Sequence, residues 1–387
     1  MSRVVTPVEP LQRPGPWLRG AYHVARRELL SLFVTPLAYL VGTLFLLNQG
    51  WNFALLLRVL NDPLAAPGPV MQFYFGGSFF IFWLPVIFIC AALSMRLIAE
   101  ERRQGTLEAL LTAPLSPSQI ALGKFAGAYG FYLALWLPTA TFYLLLLGAG
   151  ARPEAGPVLS GYLGVLLVGA SFLGVGLLAS ALARSQLAAA ISTFVTCTIA
   201  VMAGLLAEQV QAGTTAQLLH FTSLLVMMQE LAQGIVDPRW VYLHIGFTAT
   251  LLAATTVALN PRRRREHAVQ VVLLALLLAH LTVFGARHGA RGDWTAGHVY
   301  TLSDRAREVL GGLRTPIDVS VIVPATIGGG RPNPLLAELR EVLARMGAAA
   351  PNLRIRWIDP DRDHAQAQAS IAEFALGGRE LAGRGPA

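Results

Sequence analysis

Apolar runs about twenty residues long recur along the first three quarters of the chain, and each is long enough to cross a hydrocarbon core of roughly 30 Å as a helix. Seven are read, near Val34–Leu57, Met71–Leu93, Gly123–Leu147, Val158–Leu182, Leu187–Leu206, Val241–Leu259 and Val269–Ala286. Inside a bilayer every backbone polar group must be paired within the protein, so runs of this length are helices. The composition agrees: 54% of the 387 residues are hydrophobic and only 13% charged, with a mean hydropathy of +0.54, against roughly 25% charged in soluble domains. The expected fold class is therefore an α-helical polytopic membrane protein with a small C-terminal α/β domain. Residues 1–33 carry five Arg and four Pro ahead of the first run, unlike a cleaved signal peptide, so that span is expected to be retained.

Basic residues in short loops set the orientation of spans. With a cytoplasmic N-terminus, fourteen basic residues fall inside (Arg3, Arg13, Arg19, Arg26, Arg27, Arg96, Arg102, Arg103, Lys124, Arg184 and Arg262 through Arg265) and three outside (Arg58, Arg152 and Arg239). Seven spans then place the C-terminal residues outside the cytoplasm. The net charge of +8 is thus mostly a matter of topology, and no nucleic-acid partner is expected. "PRRRRE" at 261–266 reads as a positive-inside anchor, with anionic lipid as the alternative ligand.

The four parts expected are a cytoplasmic N-terminus over 1–33, a six-span region over 34–260, a basic loop and seventh span over 261–286, and an extracytoplasmic α/β domain over 287–387. "AYHVARRELLSLF" at 21–33 is an amphipathic surface helix, with Arg26, Arg27 and Glu28 on its polar side. Residues 217–235 are helical in pattern but polar for a span; they read as a re-entrant or interfacial hairpin, with an eighth span as the alternative. In the last hundred residues, "HVYTLSDRAREVLGGL" predicts a helix capped by Ser303. "IDVSVIVP" and "LRIRWIDPD" predict strands around a helix capped by Asn333 with Pro334 at its first position, a βαβ unit with a parallel pair.

No catalytic set converges. Lys124 is the only lysine, and the position where a phosphate-cradling loop requires its first glycine is Ser118. No H-E-x-x-H or G-x-S-x-G occurs. Cys90 and Cys197 fall inside spans as ordinary buried thiols. Asp359, Asp361 and Asp363 have the spacing that opens a calcium loop, but His364 stands where that loop needs glycine and Ser370 where it needs glutamate, so capping in a strand-to-helix loop is the better reading. Glu208 and Glu230 lie near membrane level as candidates for a substrate role, and His280 reads as a helix-packing donor. No metal site and no cofactor are expected in this chain, and it is not expected to be an enzyme.

A chain with these spans and no energy source needs an external motor, and the largest inside loop, Glu100–Lys124, is where one would push. On a helix Glu101, Gln104, Gly105 and Glu108 share one side and Leu107, Leu110 and Leu111 another. That pattern gives a surface helix offering Glu101 and Glu108 to a basic partner. Gly105 allows close approach, Thr106 caps the segment after it, and Pro114 and Pro117 end the helix before Ser118 starts the next. A solvated connection between spans is the alternative.

The stretch "AEERRQGTLEALLTAPLSPSQIALGKF" resembles the signature region of type-2 ABC exporter permeases, in the gliding-motility (GldF-like) and copper-processing (NosY-like) branch. Met95, Arg96, Glu100, Glu101, Arg102, Arg103, Gly105, Thr106, Leu107, Glu108, Leu110, Leu111, Pro114, Gly123 and Lys124 match that pattern, and the resemblance runs over about 20–260. It implies a six-span permease that pairs with a second transmembrane subunit or a copy of itself in the bacterial cytoplasmic membrane. It also implies a separate ABC ATPase, which binds the ATP and magnesium. Glu100, Glu101, Arg102, Arg103, Gly105, Thr106, Leu107, Glu108, Leu110, Leu111 and Pro114 would form the ATPase-coupling helix, and Arg26, Arg27 and Glu28 a second contact. "RGDWTAGHVYTLSDRAREVLGGLRTPIDVSVIVP" and "LRIRWIDPDRD" resemble the start of the extracytoplasmic domain of the GldG-like partner protein, a longer domain, and imply a periplasmic or envelope partner. The implied function is ATP-driven export, with a non-transporting scaffold that transmits force as the alternative.

Overall fold

The computed structural model describes residues 17–61, 71–151, 153–209, 221–260 and 264–288 of the chain. Beyond these it describes 292–297, 300–313, 315–324, 352–361 and 364–373, with scattered positions between 326 and 350. Two compact units are present, one within Met1–Ala65 and Pro69–Ala296 and one within Gly297–Ala387.

The first unit is helical. α1 (Trp17–Val34) leads into α2 (Pro36–Leu60), whose start is set by Pro36 at the first helical turn. A short α3 (Met71–Tyr74) is followed by a turn at Gly76, which adopts φ 84°. The second span is therefore entered at Phe79, eight residues later than the hydropathy predicts. It opens with a π-helical turn, Phe79–Trp83, that continues into α4 (Leu84–Ser94). Pro85 accounts for the distortion, since it has no N–H to give the carbonyl four residues back. That carbonyl belongs to Ile81, and the Asn48 side chain donates to it at 2.8 Å, as burial away from water requires.

After α5 (Ala99–Gln104) and α6 (Leu107–Thr112), α7 (Pro117–Trp136) passes through a tight turn at Leu137–Thr139 around Pro138 into α8 (Ala140–Gly148). α9 (Ala155–Leu182) and α10 (Gln186–Gln209) follow. α11 (Leu224–Ala232) is only nine residues long and packs its buried Met227, Met228 and Leu231 against α9. Nine residues of helix rise roughly 14 Å, too little to cross, so this part of the 217–235 segment is not an eighth span.

β1 (Ile235–Val236) precedes α12 (Pro238–Leu259), and α13 (Arg264–His288) runs back to β2 (Gly292–Asp293). β1 and β2 pair antiparallel, so α12 and α13 form an antiparallel hairpin whose open end is tied. Among the described residues six helices are long and apolar enough to cross a membrane: Ala38–Leu60, Phe79–Gln104, Pro117–Gly148, Ala155–Leu182, Gln186–Leu206 and Pro238–Leu259. α13 carries a further apolar stretch, Val271–Phe284.

α9 is the central helix. Small residues on it admit neighbours: Gly169 faces the Tyr132 ring, and Gly161 faces the Phe75 ring. Tyr132 donates its hydroxyl to the Val165 carbonyl at 3.1 Å, which removes the cost of a phenol in the interior. Phe45, Trp136, Phe82 and Trp83 complete an aromatic layer beside it.

The second unit contains α14 (Asp304–Gly311), β3 (Ile317–Ile322), the short β4 (Thr326–Ile327) and β5 (Arg331–Pro332), β6 (Leu353–Ile358) and α15 (His364–Glu373). Ser303 accepts from the Ala306 amide at 3.2 Å, capping α14. β3 and β6 pair in parallel from Ile317↔Leu353 to Ile322↔Ile358, the pairing expected of a βαβ unit. Asn333 and Pro334 lie outside the described residues. Asp359 accepts from the Asp361 amide at 3.0 Å, a turn-forming bond between β6 and α15.

Candidate functional site

The loop between the second and third spans is two short helices at a left-handed break, not the single helix its periodicity predicts. Gly105 has φ 73°. Its amide reaches the Arg102 carbonyl at 3.2 Å, and the Thr106 amide reaches the Glu101 carbonyl at 2.9 Å. Those two bonds form a Schellman ending, for which a glycine is the cheapest residue. The break separates Glu101 and Gln104 from Glu108. Among the described residues nothing lies within 4 Å of a Cβ placed on Gly105, and the left-handed conformation by itself favours glycine there. Thr106 sits at the start of α6 without a side-chain cap; its hydroxyl turns back to the Glu101 carbonyl at 3.3 Å.

α5 is bolted to the C-terminal end of α9. Ser180 accepts from the amides of Ile98 and Ala99 at 3.1 and 3.0 Å, satisfying two of the donors a helix start leaves open. Arg102 donates to the carbonyls of Ala181 and Ala183, where a cation also suits the helix dipole. Glu100 pairs with Arg103 at 2.6 Å, with the arginine largely exposed.

Glu101 turns inward. Its Oε1 lies 2.8 Å from Lys124 Nζ, and Glu28 Oε2 lies 3.0 Å from the same nitrogen. Lys124 is 2% exposed. A buried ammonium is tolerated only when paired and hydrogen-bonded, and here two carboxylates meet it from α1 and α5. Glu101 and Glu28 are thereby removed from the set of outward-facing contacts the sequence suggests, while Arg26, Arg27, Arg103 and Glu108 remain exposed.

α1 lies along the first half of α7. A Cβ on Gly123 would meet Val24 and the Ala21 carbonyl at 2.6 and 2.7 Å, and one on Gly127 would meet the Glu28 side chain at 2.6 Å. Glycines four apart let the two backbones approach closely. Gln119 donates to the Trp17 carbonyl at 2.8 Å. α7 itself starts earlier than expected. Ser116 and Gln119 form a reciprocal capping box with Pro117 at the first helical position, so Pro117 opens a helix where its spacing predicts a stop, and Ser118 is not the cap. Leu107, Leu110 and Leu111 pack against the core of the bundle, and Pro114 is exposed between α6 and α7.

The signals that sequence reading misses are the Gly123/Gly127 pair, the Ser-x-x-Gln capping box at 116–119, and Ser180. The first two are legible patterns; Ser180 becomes a cap only through folding. Of the membrane-level candidates, Glu230 is held by Arg239 at 3.0 Å and by the Trp240 indole, at the start of α12. This assembly fixes α11 to α12. The Glu208 side chain lies outside the described residues, and His280 is exposed on α13. Among the described residues no group of His, Cys, Asp and Glu is placed to hold a metal ion.

Comparison with known families matches residues 62–260 to the family described as ABC-2 family transporter protein. Residues 296–384 match a family described as a domain of unknown function, DUF7088. Two relatives, both named probable multidrug ABC transporter permease YbhR, from Escherichia coli strain K12 and O157:H7, are 39% identical over 103 residues. That stretch is 25% of this chain and 26% of each relative, so the chain spans about a quarter of their length. The family match covers just over half of the chain and contains the whole α5–α7 segment with Glu101 and Lys124, while Glu28 lies ahead of it. The chain belongs to the ABC-2 transporter family, as a multi-pass membrane subunit of an ABC transporter.

Proposed function

We propose that the chain is the permease subunit of an ATP-driven exporter and that α5 and α6 are the docking element for its ATPase. The observation that carries this reading is the Glu28–Lys124–Glu101 bridge. A force applied to the exposed α5–α6 surface reaches α1 and α7 through a buried ionic contact, and reaches α9 through Ser180 and Arg102. The docking face is narrower than the sequence pattern implies. Arg103, Gln104 and Glu108 point outward, with Arg26 and Arg27 of α1 as the second contact.

In this reading the N-terminus is cytoplasmic, the α5–α6 side faces the cytoplasm of a bacterial inner membrane, and α13 crosses as a seventh span. The tie between β1 and β2 supports the crossing, because it brings the end of α13 level with the start of α12. The residues after 287 are then extracytoplasmic and take an envelope partner, and the permease pairs with a second transmembrane subunit or a copy of itself. The name of the two relatives makes small amphipathic molecules the cargo class to try first.

The test is co-purification. Arg103→Glu combined with Glu108→Arg is expected to release the ABC ATPase that accompanies the wild-type chain from its native membranes, with the thermal stability of the permease unchanged. An ATPase that stays bound to the double variant as firmly as to wild type removes the docking assignment.

A further inference from the structure

A cleft of about 290 Å³ opens between α10 and α12 over the middle of α9. Its floor is buried: Ser171 and Phe172 of α9, Cys197 of α10 and His244 of α12. Its rim carries Thr196 and Ala200 of α10 and Phe247 of α12, all exposed on the outside of the bundle. These residues lie within three helices long enough to cross the membrane, so the mouth sits at membrane depth.

We propose that this cleft is a binding site for a small, neutral, amphipathic molecule that enters from the bilayer. Three features define the ligand. The size is near the lower end of small-molecule sites, roughly 300 Å³, and about twice the roughly 150 Å³ cavity that holds a benzene ring. The charge is none, because no Asp, Glu, Lys or Arg lines the cleft among the described residues, and an ion without a counter-charge is not accommodated at low dielectric. The ligand's polar groups are neutral hydrogen-bonding ones, since Thr196, Thr222 and Ser223 line the cleft beside Ser171 and His244. His244 Nδ1 and Ser171 Oγ lie 2.7 Å apart on the floor, and a polar pair inside a membrane span is costly to keep unless it packs helices or meets a ligand.

Packing alone accounts for the pair but not for the void beside it. A cavity left in a packed bundle forfeits contacts on every wall, and small residues line it at Ala200, Ala203 and Gly204, where larger ones would close it. A molecule with an apolar ring against Phe172 and Phe247 and one donor or acceptor at the Ser171–His244 end uses both features. The site does not depend on how the ATPase docks, because none of its lining residues belongs to α1, α5 or α6.

The test uses the full chain in lipid nanodiscs and the neutral aromatic amine 1-aminoanthracene, whose fluorescence rises in an apolar pocket. Saturable binding above that of empty nanodiscs is expected. Ala200→Phe, which fills the cleft from its rim, is expected to weaken binding about tenfold or more, the equivalent of roughly 1.4 kcal/mol. Ile199→Phe, one residue away and outside the cleft, is expected to leave binding as in wild type. Thr196→Phe replaces Ala200→Phe if the latter does not insert. Binding no stronger than to empty nanodiscs overturns the site, as does equal binding to the filled variants and the Ile199→Phe control, or equal weakening by all of them.

Discussion

Lys124 Nζ lies 2.8 Å from Glu101 Oε1 and 3.0 Å from Glu28 Oε2, so the one lysine of the chain joins the loop after the second span to the helix before the first. The second oxygen of Glu101 is buried without a hydrogen-bond partner among the described residues, which makes this carboxylate dependent on Lys124.

Removing the cation leaves two carboxylates facing each other with no counter-charge. Breaking a buried pair from one side costs about 3 to 5 kcal/mol, and the partial exposure of the two glutamates, 16% and 18%, lowers this to about 2 to 3 kcal/mol for Lys124→Met. Thermal unfolding in nanodiscs measures it. Adding Glu101→Gln to Lys124→Met is expected to recover part of the loss, a non-additivity that a merely bulky packing role for Lys124 would not produce.

Gly105 holds a left-handed conformation in open surroundings. Gly105→Ala is expected to cost about 1 kcal/mol at that residue and to redirect α6. Because the strain is confined to an exposed turn, unfolding temperature should change little while ATPase co-purification falls. Gly105→Asn, which tolerates the left-handed region better, should be the milder of the two.

Ser180 accepts two amides at once. Ser180→Ala leaves both without that partner and is expected to destabilise the α5–α9 junction by about 1 to 2 kcal/mol. Hydrogen exchange of the Ile98 and Ala99 amides reads the effect directly: faster in the variant, with α7 unaffected. Unchanged protection would mean that the cap is not what holds α5.

The α1–α7 contact depends on the absence of side chains at 123 and 127. Gly127→Leu would place a side chain where Glu28 and the Ala25 carbonyl now lie, so it is expected to push α1 off α7 and to break the Glu28–Lys124 contact. A reporter cysteine at Ala21, buried in the wild-type packing, is expected to change from unreactive to reactive toward a polar maleimide in a Cys90→Ala, Cys197→Ala background.

Much of this fold is written in hydropathy, because a bilayer leaves an apolar run of twenty residues few alternatives to a helix. The ends of the helices are less legible. The second span starts at Phe79 because Gly76 turns the chain, and a sliding count of apolar residues gives no weight to one φ angle. The loop shows the same limit: its i, i+3, i+4 spacings are those of a helix, yet Gly105 breaks it, and the break decides which side Glu101 faces. Long-range pairs such as Lys124–Glu28 exist only after α1 has folded back onto α7. The Ser116–Gln119 capping box is present in the letters, but the prolines around it resemble a stop as much as a start.

Contact between the α5–α6 surface and the ATPase is the central claim, and a position-specific cross-link tests it most directly. Glu108 is exposed on α6, while Glu154 is exposed at the start of α9, the end away from Ser180 along 28 helical residues, a distance of roughly 40 Å. In membranes holding the intact complex, with Cys90 and Cys197 replaced by alanine, a thiol-to-amine cross-linker attached at Glu108→Cys is predicted to capture the ATPase, and one attached at Glu154→Cys to capture none. Capture from position 154, or its absence at position 108 in a complex that still co-purifies, would contradict the docking of the ATPase on α5 and α6.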